Sequence, residues 1–268
     1  MSSFILFRMT NIDNFSPGTF CWVELATNDQ GAAKKFYSSL FGWQVNDMTM
    51  PEGVYSMFQL QGRNAGAAYT LRKEQVAAGV PPHWGLYMAV ANTDQSAKRA
   101  GESGGKVVAP PFDVFDIGRM AVLQDPTGAH FCIWQEKRAK AEAIGGVEGT
   151  LCWADLMTRD TARAEKFYSG LFGWTFGKDE KDPSGYTHIK NGEEFIGGMP
   201  PSSHLQANIP PHWIPYFLVK NCDATIAKAT QHGAKTCVQA TNLENVGRFA
   251  VLSDPQGAVF AIFEAAHK

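Results

Sequence analysis

The chain has 268 residues, of which 44% are hydrophobic and 19% charged, and its formal net charge is −2. That composition builds buried cores rather than a disordered chain, and the charge offers no basic surface to nucleic acid or an anionic membrane. The five cysteines, odd in number and without a C-x-x-C pair, argue against a disulfide framework and for reduced thiols in the cytoplasm.

The opening, MSSFILFRMTN, has four apolar residues before Arg8, too few for a secretory core. No run of about 18 apolar residues follows to span a membrane, so a soluble cytoplasmic protein is expected. FCWVELAT then reads as a strand, and Asp29 as the N-cap of a helix over GAAKKFYSSLFG, with Ala32, Phe36 and Leu40 on one face and a stop at Gly42. Three β-like runs come next: WQVNDM, VYSMFQL and GAAYTL. The order restarts with the strand HWGLYMAV, the helix TDQSAKRAGESGG, and the strands KVVAPPFDV, GRMAVLQD and HFCIWQ.

The whole phrase is then repeated. Cys21–Trp43 and Cys152–Trp174 agree at 14 of 23 positions. PPHW recurs at Pro81–Trp84 and Pro210–Trp213, and GRMAVLQDPTGA (Gly118–Ala129) returns as GRFAVLSDPQGA (Gly247–Ala258). Such periodicity predicts two modules, residues 18–137 and 148–266, joined by EKRAKAEAIGGVEG, which is charged and then glycine-rich. With two halves in each module, the fold expected is α+β: four βαβββ units making two tandem modules with cupped, mostly antiparallel sheets.

The FY…LFGW helix, the GR-x-AVL-x-DP-x-GA hairpin and the four βαβββ units resemble the vicinal oxygen chelate superfamily over residues 18–266. That group holds glyoxalases, bleomycin-resistance proteins, fosfomycin-resistance enzymes and extradiol dioxygenases. The layout is most similar to two-module bacterial glyoxalase-like proteins labelled hydroxylase or culture-filtrate antigen. The resemblance implies where a divalent metal would sit, on His or Glu residues of the inward strands. Here those positions hold Trp22 and Trp153, Cys132 and Ala261, and, near the start of the second units, Gly85 and Ile214. GAAYTL and FIGGMP supply no mid-strand carboxylate. A tight reactive site needs at least three ligands, so no metal and no other cofactor is expected. His83 and His212, two residues before Gly85 and Ile214, are candidates for ligand contact or a structural role rather than for chelation.

Alternation places Glu24 and Asp155 on the same face as Trp22 and Trp153. An acid there must be paired, hydrogen-bonded or neutralised. One reading is a general base beside an aromatic wall, its proton affinity raised by desolvation. The other is an ion pair with Arg119 or Arg248 of the GR strands. Tyr55 and Tyr186 repeat at an offset of 131 residues, as core residues or ligand contacts. His188 replaces Met57 in module two alone, and PPFDVFDIG faces the polar QATNLENVG, so the two cavities are expected to differ. The predicted function is a metal-independent glyoxalase-like lyase or isomerase. It would act on a small carbonyl or aromatic compound, with Glu24 and Asp155 catalytic. Trp22, Trp153, Tyr55, Tyr186, His83, His212, Arg119, Arg248 and Cys132 would contact the substrate. The alternative is a non-catalytic binder of drugs or aromatic metabolites of the bleomycin-resistance type, or a protein whose cavities its own side chains fill. A monomer or homodimer is expected, with a small-molecule partner and no nucleic-acid or membrane partner.

Overall fold

Alternation along the strands decides which side chains meet. In β1 (Phe20–Thr27), Phe20, Val23 and Leu25 join the main core, whereas Trp22 packs with a separate cluster on the opposite face. The computed structural model describes residues 15–138, 143–179, 184–205 and 208–266. The apolar run near the start and the middle of the linker lie outside the described residues.

In module one β1 is followed by α1 (Gln30–Phe41), β2 (Gln44–Met50), β3 (Gly53–Leu60), β4 (Arg63–Thr70), α2 (Lys73–Ala77), β5 (His83–Ala89), α3 (Thr93–Glu102), β6 (Lys106–Val114), β7 (Gly118–Gln124) and β8 (His130–Glu136). The Asp29 carboxylate accepts from the Ala32 amide, and Gly42 closes α1 at φ 72°, the cap and stop anticipated. Helix α2 was not anticipated. Module two runs β9 (Leu151–Met157), α4 (Thr161–Phe172), β10 (Thr175–Lys178), β11 (Thr187–Asn191), β12 (Glu194–Met199), β13 (His212–Leu218), α5 (Cys222–Gln231), β14 (Lys235–Leu243), β15 (Gly247–Ser253) and β16 (Val259–Ala265).

Each module makes one eight-stranded sheet, ordered β2-β3-β4-β1-β5-β8-β7-β6 and β10-β11-β12-β9-β13-β16-β15-β14. Within each, the first strand of either unit pairs parallel with the last strand of its own unit, and the remaining pairs are antiparallel. The sheets do not close into barrels. Between Phe20↔Met88 and Trp22↔Tyr87 the register slips at Cys21, and the same bulge recurs at Cys152. An extra residue there bends the strand and re-aims the tryptophan that follows.

The helix-covered faces of the two sheets pack against each other. Phe20 meets Trp213 edge-on at 5.5 Å and Trp84 meets Phe217 at 5.2 Å. The repeated motifs sit in this junction. Tyr37 of the first FY donates to Asp254 of the second DP turn at 2.9 Å, and Tyr168 to Asp125 at 3.0 Å. Trp84 and Trp213 of the PPHW stretches donate to those same tyrosine hydroxyls at 3.0 Å. Trp43 and Trp174 donate to the Gly149 and Gly18 carbonyls of the opposite module, each at 2.9 Å. Among the described residues no helix is long and apolar enough to cross a membrane, and all five cysteines are free.

Candidate functional site

The open face of module one gathers its polar groups around Glu24. Tyr55 on β3 donates to one carboxylate oxygen at 2.6 Å, and Tyr87 on β5 donates to the other at 3.1 Å. Trp22 shares this face, and Tyr87 is paired across the sheet with Cys132 on β8 in the same cluster. Burial pushes the Glu24 carboxyl above its ordinary range, against the pull of the two tyrosines and the Arg72 charge. Burial and the adjacent Glu24 charge also hold both hydroxyls well above the usual phenol range, so they stay protonated as donors. Helix α2 lies at the rim, where Gln75 donates to Tyr69 at 3.1 Å. Trp22, Glu24, Tyr55, Met57 and Tyr69 are all half-buried. Glu24 is paired across the sheet with Gly85, beside which an added Cβ would find open space apart from the Glu24 carbonyl at 3.5 Å.

Module two builds the same constellation and seals it. Asp155 accepts from Trp153 at 3.0 Å, Tyr186 at 2.5 Å and Tyr216 at 2.7 Å, and is 3% exposed. Burial again pushes its carboxyl up. Tyr186 reaches it because Gly198 stands opposite, where a Cβ would lie 2.1 Å from the hydroxyl. Opposite Asp155, where module one has Gly85, stands Ile214, buried in a cluster with Trp153, Tyr216, Val251 and Phe263. His188 meets Tyr186, Phe195 and Trp153 edge-on at ring distances of 5.0, 5.3 and 6.5 Å.

The structure thus brings Trp22, Glu24, Tyr55 and Cys132 together, and separately Trp153, Asp155 and Tyr186. It does not bring the arginines to the acids, which corrects the ion-pair expectation. Arg119 binds Asp94 at 2.8 Å and Asp113 at 3.0 Å, and Arg248 binds Asp223 at 2.9 Å. The reason is strand parity. Ala121 on β7 and Ile133 on β8 lie in the main core, so Arg119 points to the helix side and Glu24 to the other. His83 and His212 turn their Nδ1 atoms to the Pro81 and Pro210 carbonyls, both at 2.9 Å, at the ends of their strands. Tyr87 and Tyr216 are the participants sequence reasoning missed. Their repetition at an offset of 129, four residues after each PPHW histidine, was the available signal.

A metal does not fit these donors. Among the described residues, no three of His, Cys, Asp or Glu gather closely enough to hold an ion. Cys132, the single chelating type at the positions the resemblance pointed to, has its thiol pushed up by burial and by Glu24, which disfavours the thiolate a metal needs.

Two family models match the chain: the glyoxalase/bleomycin resistance protein/dioxygenase superfamily over residues 19–133, and a glyoxalase-like domain over 152–263. CFP32 of Mycobacterium tuberculosis, provisionally named a glyoxylase, is 40% identical over 96% of this chain and 99% of its own. This chain belongs to the glyoxalase/bleomycin resistance protein/dioxygenase superfamily. DnrV of Streptomyces peucetius, an anthracycline biosynthesis protein, is 31% identical, covering 93% of this chain and 94% of its own. Among solved structures, the superfamily fold is shared with the Mn(II)-bound glyoxalase of Novosphingobium aromaticivorans. That match has a TM-score of 0.64 and 14% identity, covering 92% of this chain and 82% of that one. The dioxygenase LapB of Pseudomonas sp. KL28 matches with a TM-score of 0.64 and 11% identity, covering 95% and 94%.

Proposed function

We propose that the open face of module one is a metal-independent proton-transfer site for a small carbonyl compound, of the lyase or isomerase type, and that module two is its structural counterpart. The observation that carries this reading is the pair of residues opposite the two acids. Gly85 leaves room beside Glu24, whereas Ile214 fills the matching place beside Asp155.

In this reading Glu24 takes a proton from the carbon next to the substrate carbonyl. The C–H electron pair moves into the carbonyl, and the oxygen gains charge. Tyr55 or Tyr87 turns its hydroxyl from Glu24 to that oxygen, the electrophilic help that a metal supplies elsewhere. In an α-hydroxy ketone, return of the proton to the former carbonyl carbon completes an isomerisation, with the α-hydroxyl proton passing to the former carbonyl oxygen as the new C=O forms. Return to the same carbon gives exchange alone. Trp22 walls the face, and Cys132 lies beyond Tyr87. The name of DnrV, which places that relative in the biosynthesis of an aromatic product, favours an aromatic ketone as the substrate class.

The test is deuterium uptake from heavy water into α-hydroxyacetophenone and hydroxyacetone, followed by NMR. Glu24→Gln should lower a protein-dependent exchange rate by about a hundredfold to ten-thousandfold. Exchange that is unchanged in this variant rejects the role of Glu24.

A second reading is sequestration without turnover. It is favoured by the tyrosine bonds that already engage both Glu24 oxygens. It predicts tryptophan quenching by aromatic ketones with no exchange at any pH.

A further inference from the structure

Beyond the Glu24 cluster, the same face of module one carries a second feature. A cavity of about 170 Å³ lies at the far end of β5 and β8, lined by Phe15, Pro17, the Ala89–Ala91 stretch, Trp134, Gln135 and Glu136. We propose that it binds a small organic cation: a compact ammonium group, free or as the head of a larger ligand.

Three observations point that way. Two of the walls are aromatic, and the Trp134 ring is laid against the β7 backbone, since a Cβ on Gly118 would stand 2.1 Å from its ring carbon. Such a ring presents a fixed π face to a cation. Next, the half-buried Glu136 carboxylate accepts from neutral groups, the Trp134 indole at 3.1 Å and the Arg138 amide at 3.3 Å. The neighbouring cations are committed elsewhere, Lys137 to Asp113 at 2.8 Å and Arg138 to Asp116 at 3.0 Å. The carboxylate's charge is therefore directed at the cavity and at the adjacent Cys21 thiol, which it helps push up. Finally, module two lacks the carboxylate and one of the two rings. Ala265 stands on β16 where β8 has Glu136, and the repeat offset puts Gly146 where Phe15 would be, while Phe263 keeps an aromatic ring in Trp134's place, close over Gly247.

The volume selects size. Drug-sized ligands occupy about 300–1,000 Å³, so this cavity takes a head group. It lies beyond Ala89, four residues and about 13 Å along the strand from Gly85, so the inference stands apart from the role given to Glu24.

The test is calorimetric titration of the full chain with n-butylammonium, tetramethylammonium and, as the neutral isostere, n-butanol. Butylammonium should bind about tenfold or more tightly than butanol. Glu136→Gln should erase that preference, and Trp134→Leu should weaken tetramethylammonium most. Gly85→Ile, which blocks the Glu24 face, should leave butylammonium affinity unchanged. Equal affinity for butanol, no heat with any probe, or a preference that survives Glu136→Gln overturns the proposal.

Discussion

Phe115 is held at φ 48° in the β6–β7 turn and is 63% exposed. A bulky L residue is strained there, and in the matching turn of module two the left-handed position falls one residue later, on Asn245 at φ 59°, a residue type that tolerates it. Phe115→Asn should therefore raise the unfolding free energy by about 1 kcal/mol, read as an increased urea midpoint. Asp155 gives a second expectation. Its folded-state carboxyl is raised by burial, so between the unfolded value near 4 and the higher folded value the unfolded chain ionises first. Stability contributed by the protonated form is present at low pH and is lost as pH rises through that window. Asp155→Asn should flatten this fall in a urea series across pH, and an identical slope in both proteins would refute the protonation state assigned. At this scale the sequence showed the acids and the first pair of tyrosines, because both repeat in strands whose parity is readable. It hid the second pair, because Tyr87 and Tyr216 sit in apolar runs that look like ordinary core.

Strand geometry accounts for what sequence reading placed correctly and for what it misplaced. The βαβββ order was legible from alternation and caps. The bulges at Cys21 and Cys152 were not, since an inserted residue leaves no mark on composition. The face occupied by Arg119 was open to inference, because Ala121 and Leu123 alternate with Met120 and Val122, yet arginine's charge complementarity with Glu24 drew it to the wrong side. Helix α2 escaped notice because it is five residues long and buries none of them. The strand glycines carry a sharper expectation. Gly198→Ala would drive Tyr186 off Asp155, leaving a buried carboxylate short of a donor at a cost of about 1–3 kcal/mol. Thermal unfolding of Gly198→Ala alone, and then in a Tyr186→Phe background, should give clearly non-additive losses.

Across the molecule, the most strongly repeated motifs serve assembly rather than chemistry. FY, PPHW, LFGW and DP-x-GA converge on two crossed Tyr–Asp bonds and two Trp–carbonyl bonds between modules. Tyr37→Phe and Tyr168→Phe should each cost about 1–3 kcal/mol, and both modules should still unfold in one transition because they share one core cluster. Two separated calorimetric transitions in the wild type would contradict that coupling. With the latch symmetric, the proposed function rests on the residues that break the symmetry, foremost Gly85 against Ile214. The most direct measurement is deuterium uptake into α-hydroxyacetophenone by the wild type, Gly85→Ile and Asp155→Asn, each first shown to be folded. Isoleucine is already housed at the matching site of module two, so Gly85→Ile should fold. The account predicts that it abolishes exchange while Asp155→Asn retains it. Exchange that survives Gly85→Ile and disappears in Asp155→Asn would put the working site in the other module and contradict it.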